Sequence, residues 1–403
     1  MFFISKKEAV RKAVYIGGMC SISYLAVYIA RNILGTVSPE LIKGDIFTEG
    51  QIGTLSSIYF ICYGIGQLIN GAIGDKIKAK YMISAGLCLA GVCNLLFALL
   101  SGTAMAAFIV YGLTGFFLSM IYGPMTKLVA ENTEPVYATR CSLGYTFASF
   151  LGSPAAGLIS AIIAWRGVFA ISTAILAFMG ITCFIVFSVM EKRGIIKYNQ
   201  YAPPKEKGGS IKILIKHKII KFTFISIITG VVRTSVVFWL PTYLSQYLNF
   251  STKNSKMLFS VATLIISFTA FIAIFIYERL KRNMDLTILL AFISATVCFA
   301  LVYFIGNKWA NVTFMVLAIM SSNCAASMLW SRYCPSLRDT GVVSSATGFL
   351  DFVSYMAAAA SSAIFGNAVT IVGWGNLILI WLGLMVAGVI VALPYDKFIK
   401  KTA

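Results

Sequence analysis

The sequence predicts an all-α membrane protein with twelve transmembrane helices in two parallel, pseudo-symmetric six-helix halves. Three observations carry this expectation. The 403 residues are 59% hydrophobic and only 12% charged, which leaves no polar shell for a water-soluble globule. Apolar runs long enough to cross a bilayer core, about 20 residues each as helix, recur along the chain. Landmarks of the first half also return in the second half at a nearly constant offset.

The runs fall near residues 13–36, 51–73, 80–101, 104–127, 141–164, 167–190, 219–246, 255–279, 284–305, 309–330, 341–371 and 373–394. Barrel strands alternate apolar and polar residues over about ten positions. These runs are apolar all round and read as helices. The nine cysteines, among them Cys62, Cys88, Cys183 and Cys298, lie mostly inside the runs without C-x-x-C spacing, which argues against a disulfide framework or a zinc site. Lys6, Lys7, Arg11 and Lys12 precede the first run, and no small-residue cleavage site follows a short apolar core. The first run is therefore expected to be retained as a span.

Loop charge sets the expected orientation, because Lys and Arg concentrate in cytoplasmic loops. Lys76, Lys78, Lys80, Arg140, Arg279, Lys281, Arg282, Arg332, Arg338, Lys397, Lys400 and Lys401 fall on one side, whereas the first loop of the other side carries Glu40, Asp45 and Glu49. Both termini are then cytoplasmic and the chain is a multi-pass protein of the cell membrane. The net charge of +19 follows from this topology and from anionic lipid headgroups. It does not point to nucleic acid. Residues 191–218, "EKRGIIKYNQYAPPKEKGGSIKILIKHK", form a basic cytoplasmic linker between an N-terminal half, 1–190, and a C-terminal half, 219–403. The only histidine, His217, lies in that linker, so no imidazole is at hand within the spans for proton relay or metal binding.

The halves repeat each other. Span one places Arg31 eight residues before Pro39, and span seven places Arg233 eight residues before Pro241, an offset of 202 positions. "IIAWRGVFAI" around Trp165 returns as "TIVGWGNLILI" around Trp374 at an offset of 209. Since spans one and seven start on the same side, the repeats are parallel, which is the plan of the major facilitator fold.

Arg31 and Arg233 carry the functional reading. A charge at bilayer depth costs at least about 2.5 kcal/mol, so each arginine must face a polar cavity or a partner. Two guanidiniums directed at one central space call for a multivalent anion, and arginine offers phosphate bidentate hydrogen bonds. Tyr24 and Tyr28, seven and three residues before Arg31, share its helical face and bring two hydroxyls. Lys127, at the inner end of span four, adds a third positive charge. The competing readings are a structural pairing for the arginines, packing for the tyrosines and snorkelling to the interface for Lys127.

The stretches "YLAVYIARN" in span one and "VVRTSVVFWLPTYL" in span seven, with the loop "GAIGDKIKAK" after span two, resemble the organophosphate:phosphate antiporter family of the major facilitator superfamily, which includes glycerol-3-phosphate and hexose-6-phosphate carriers. The loop matches the superfamily's G-x-x-x-D-[RK] pattern at Gly71, Asp75 and Lys76, and these residues are expected to belong to a cytoplasmic gate. The resemblance further implies that Arg31 and Arg233 clasp the phosphate, with Tyr24 and Tyr28 beside it. This chain also departs from the family. Positions that hold a lysine on span two and a histidine on span five of the glycerol-3-phosphate carriers hold Gln67 and Ala148 here, and Phe238 replaces an acidic residue after the span-seven arginine. The anion clamp is kept while the organic-group pocket is remodelled.

Asp351, in "ATGFLDFVSYMAAAASS", runs the other way, placing a carboxylate among apolar and small residues of span eleven. It reads as a proton-coupling site, as a partner for a cationic substrate group, as a structural partner of Arg233, or as a residue beside a water-filled cavity wall. No nucleophile–base pair, metal cluster or phosphate-cradling glycine loop is visible, so neither an enzyme nor a bound cofactor is expected. The expected function is secondary active transport of a phosphorylated small organic anion, in exchange for inorganic phosphate, by rocker-switch alternating access in a functional monomer. The alternatives are a proton-coupled carrier of another small organic anion or drug, and a sugar-phosphate sensor of the same fold.

Overall fold

The computed structural model describes residues 6–74, 77–198, 215, 217–337 and 343–393. Among them every regular element is a helix. The first seven are α1 (Lys6–Lys43), α2 (Glu49–Gly74), α3 (Ala79–Leu100), α4 (Ala104–Leu118), α5 (Tyr122–Asn132), α6 (Pro135–Ile162) and α7 (Trp165–Lys192). After the linker come α8 (Ile219–Gly230), the π-helical segment π1 (Val231–Val236) and α9 (Val237–Gln246), which together make span seven. Then follow α10 (Thr252–Ser267), α11 (Thr269–Arg279), α12 (Met284–Phe304), α13 (Lys308–Met328), a second π-helical segment π2 (Leu329–Tyr333) and α14 (Val343–Ala392).

Eleven stretches of the described residues are helical, long and apolar enough to cross a membrane. The last of them is two spans. Gly373 interrupts α14 with φ 78° and ψ 170°, a conformation that costs a side-chain-bearing residue dearly, and the chain turns there between spans eleven and twelve. Twelve spans result, as the sequence predicts. The departures are at the edges and in the interiors. Helix α1 runs well beyond the expected 13–36. Spans four and eight are each broken, at 119–121 and at Phe268.

The backbone gathers into two units. The first holds the described residues up to Tyr198 together with Ser251–Leu264, and the second holds the remainder. Each has the same internal pairing. In the first, α1 packs on α6, α3 on α7 and α2 on α4; in the second, span seven packs on the first part of α14, α12 on its last part, and α11 on α13. Inside a bilayer, lipid is as apolar as leucine, so such pairs are held by close packing and by interhelical hydrogen bonds worth about 0.6 to 2 kcal/mol each. Asn70 Nδ2 donates to Ser119 Oγ at 2.7 Å between α2 and α4, and Asn94 Nδ2 to Ser172 Oγ at 3.0 Å between α3 and α7. In the second unit Ser226 Oγ donates to the Leu350 carbonyl at 2.8 Å, and the buried Tyr243 hydroxyl donates to Asn311 Oδ1.

Ion pairs fasten the helix ends. Lys78 and Lys80 both reach Glu191 at 2.7 Å, joining the start of α3 to the end of α7. Lys221 pairs with Asp285 at 3.0 Å and donates to the Ala392 carbonyl at 3.1 Å, joining α8, α12 and α14. At the other end of the first unit, Glu40 accepts from Lys256 Nζ at 2.5 Å and from the Trp165 backbone N–H at 3.0 Å. One carboxylate thus caps the first turn of α7, where an N–H lacks an intrahelical partner, and holds the start of α10 against α1.

The Lys256 side chain is 4% exposed and that of Glu40 27%. Removing one partner of a buried pair costs about 3–5 kcal/mol, mostly from the buried charge left behind. Glu40→Ala is therefore expected to lower the melting temperature in detergent more than Lys256→Met, with the double variant recovering part of the loss. Equal losses for the two single variants would contradict this account.

Candidate functional site

In the first unit the site is built on one face of α1. Helical spacing puts Tyr24, Tyr28 and Arg31 one turn apart. The Arg31 guanidinium carbon lies 5.3 Å from the ring centre of Tyr28, 5.5 Å from that of Phe60 and 5.2 Å from that of Tyr63. Phe60 and Tyr63 are buried residues of α2, one turn apart. Each aromatic face is worth about 0.5 to 2 kcal/mol to a cation. The rings offset the desolvation of the guanidinium yet bring no formal charge of their own. Tyr24 continues the face one turn earlier, edge-on to Tyr28 at 5.0 Å and tilted against Tyr122 of α5 at 5.5 Å.

Close packing fixes this turn. A β-carbon on Gly152 of α6 would stand 2.3 Å from the Tyr28 β-carbon, so glycine alone lets α6 approach α1 here. The second unit repeats the contact 202 positions later with the small residue on the opposite helix. There Gly230, at the position of Tyr28, meets Ser354 of α14, at the position of Gly152, and a β-carbon on Gly230 would stand 2.3 Å from Ser354 Oγ.

Arg233 sits in π1, three residues after that contact. Its guanidinium carbon lies 5.9 Å from the ring centre of Trp330, which belongs to π2. The two π segments of the chain's described residues thus meet through one arginine and one tryptophan, and such bulges occur frequently at functional sites. Ser235 anchors π1 to α14 by donating to the Ala358 carbonyl at 2.8 Å and bonding Ser361 Oγ at 2.7 Å. Tyr333 anchors π2, its ring stacked on Phe222 and its hydroxyl donating to the His217 carbonyl at 3.0 Å.

Other residues singled out by sequence lie elsewhere. Lys127 Nζ donates to the Gly74 carbonyl at 3.4 Å, at the C-terminal end of α2, where the helix dipole favours a cation. Gly74 is 11 residues beyond Tyr63, about 16 Å along the helix axis, so the structure does not bring Lys127 to the aromatic box around Arg31. Gly71 lies in the last turns of α2; Asp75 and Lys76 are outside the described residues. Asp351 is partly exposed on α14, within electrostatic reach of Cys334. Phe238 is buried edge-on against Trp239. The residues that sequence reasoning missed are Phe60, Tyr63 and Trp330. A spacing of three in "YFICY" marks one face of α2, but only the packing of α2 against α1 shows which cation that face meets.

Comparison with known proteins places this geometry. The profile of the Major Facilitator Superfamily matches residues 20–362. The phosphoglycerate transporter protein of Salmonella typhimurium is 23% identical over 388 residues, covering 88% of this chain and 82% of its own. The membrane sensor protein UhpC of the same organism is 31% identical over 97 residues, and that match spans only 22% of its length. The glycerol-3-phosphate transporter of Bacillus subtilis is 25% identical over 274 residues, 62% of this chain and 61% of its own. Among solved structures, the xylose transporter XylE from E. coli superposes with a TM-score of 0.75 at 14% identity over 96% of this chain and 98% of that one, and the nucleoside transporter NupG with 0.73 at 14% over 94% and 98%. The chain is a multi-pass membrane protein and belongs to the Major Facilitator Superfamily.

Proposed function

We propose that this protein is a secondary transporter for a phosphorylated small organic anion, exchanged for inorganic phosphate, with Arg31 and Arg233 reading the phosphate. The observation that carries the reading is that each unit holds an intramembrane arginine with its guanidinium against aromatic rings, three around Arg31 and one beside Arg233. The phosphoglycerate, glycerol-3-phosphate and hexose phosphate transporters among the similar proteins support the same substrate class.

The chemistry follows from charge. A phosphate monoester carries close to two negative charges at neutral pH and presents several acceptor oxygens. Arginine's planar fork matches two of them at once, and Tyr24 and Tyr28 offer hydroxyl donors on the face that carries Arg31. Alternating access then needs only that the loaded carrier cross its occluded state more readily than the empty one, since a ligand shifts an equilibrium by its differential affinity for the two states. With both arginines neutralised by substrate, that condition is met for exchange. The excess of basic residues in one set of loops supports a cytoplasmic side for both termini.

A second reading is favoured by the match to the sensor UhpC. A sensor binds the same ligand without flux. Proteoliposome counterflow separates the two: preloaded inorganic phosphate accelerates uptake of a phosphate ester by a transporter, whereas a sensor gives saturable binding and no uptake.

Arg31→Lys and Arg233→Lys are each expected to cut counterflow on the order of 10- to 100-fold, the equivalent of one charged hydrogen bond of about 1.5–3 kcal/mol. Lysine keeps the charge and loses the fork. Near-normal exchange in either variant would remove that arginine from the phosphate site. Asp351→Asn distinguishes proton coupling from packing: a coupling carboxylate gives a flattened pH dependence of net uptake at unchanged melting temperature, and a structural one gives a lower melting temperature with the pH profile kept.

A further inference from the structure

A cavity of about 450 Å³ opens beside the C-terminal end of α1, on the side of the membrane opposite the N-terminus. Its charged lining is Glu40 and Lys43 of α1 with Lys253 and Lys256 of α10, and the turn from α6 into α7 completes the wall. Three ammonium groups thus face one carboxylate. Glu40 is already engaged, accepting from Lys256 Nζ at 2.5 Å and from the Trp165 backbone N–H at 3.0 Å. Lys43 and Lys253 are exposed and have no ion-pair partner among the described residues. Asp45 and Glu49, the acidic residues that follow Lys43 in the chain, do not line the space. The cavity therefore carries an excess of positive charge, three lysines against one glutamate.

By sequence α10 belongs to the second half, yet Ser251–Leu264 gather with the first unit, and the boundary between the units crosses span eight just ahead of its break at Phe268. Ser260 Oγ seats α10 there by donating to the Pro154 carbonyl of α6 at 2.5 Å. A β-carbon on Gly157 would stand 2.9 Å from the Ser260 β-carbon, so glycine lets α6 and α10 touch. The Lys256–Glu40 pair also seats α10, and of these contacts it is the one in the cavity wall. An anion entering the cavity meets a lysine that already holds an oxyanion, and competes for it.

We propose that this cavity is a second anion site, apart from the arginine pair, in which a phosphate dianion gathers on Lys43 and Lys253 and displaces Glu40 from Lys256. Two unmatched point charges call for a dianion, and lysine serves phosphate in that way. The volume falls within the roughly 300–1,000 Å³ of small-molecule sites. The choice of phosphate among dianions rests on the function proposed above. Once Glu40 is displaced, α10 loses its ionic tie to α1. Phosphate on that side of the membrane then loosens the segment of the second half that is seated on the first unit.

The test is equilibrium binding of radiolabelled inorganic phosphate to the full chain in lipid-free detergent. Two classes of site are expected, one weakened by Arg31→Lys with Arg233→Lys and the other by Lys43→Gln with Lys253→Gln, two exposed positions whose change leaves the melting temperature as it was. Glu40→Gln, which keeps an acceptor for the Trp165 N–H, is expected to tighten the lysine-dependent class on the order of tenfold by removing the competing charge. Adding Lys256→Met to Glu40→Gln is expected to remove that gain. Phosphate binding unchanged by Lys43→Gln with Lys253→Gln overturns the site, and an affinity unaffected by Glu40→Gln overturns the displacement. A second arm offers short-chain phosphatidylglycerol: if that lipid binds in the lysine-dependent manner and inorganic phosphate does not, the site takes a lipid headgroup and the proposal falls. If lysine-dependent phosphate binding is present while the arginine variants change nothing, the function proposed above falls and this site stands.

Discussion

A guanidinium at bilayer depth is the constraint around which this molecule is organised. Arginine does not deprotonate to escape the hydrocarbon, so the protein must build an environment that makes the charge tolerable. In the first unit the answer is three aromatic rings from two helices around Arg31. In the second it is one indole, brought to Arg233 by two π-helical segments. Both answers require helix pairs to be held at fixed register, and a close approach of α1 to α6 and of span seven to α14 falls one turn from each arginine.

Much of this was legible in the sequence because the bilayer simplifies the problem. Span length, loop charge and the 202-position echo of Arg31 in Arg233 are one-dimensional signals, and they gave twelve helices and the right family. What the sequence concealed was three-dimensional or local. Nothing in "VVRTSVVFW" distinguishes a π-helical turn from an α-helical one, since both are apolar and span-like. Lys127 lies at a plausible depth in span four, but the chain breaks at 119–121 and its ammonium goes to the end of α2. Tyr24 and Tyr28 share a face with Arg31 as the spacing requires; the rings that complete the box come from α2, and no spacing within α1 could name them.

The two halves are alike in topology and unlike in chemistry, and the difference begins at a single contact. Tyr28 against Gly152 in the first unit becomes Gly230 against Ser354 in the second, so the large and small partners are exchanged between the helices. The same backbone approach is preserved. What changes is which helix carries a ring next to its arginine: Arg31 has one on its own helix, one turn earlier, whereas Arg233 has only a hydrogen there and takes its aromatic neighbour from span ten.

That exchange changes what surrounds the second arginine. A tyrosine at position 230 would repeat the aromatic enclosure of the first unit, and its volume would stand one turn from Arg233. With glycine there, packed against Ser354 of α14, the span-seven face before the arginine carries no ring, and the aromatic neighbour of Arg233 is Trp330 of span ten. Sequence symmetry therefore delivers two cations, while its violation at one residue pair leaves the first arginine among three rings and the second beside one indole. In the proposed reading, recognition of phosphate rests on the symmetric pair of arginines, and discrimination among phosphate esters falls to the residues where the symmetry fails.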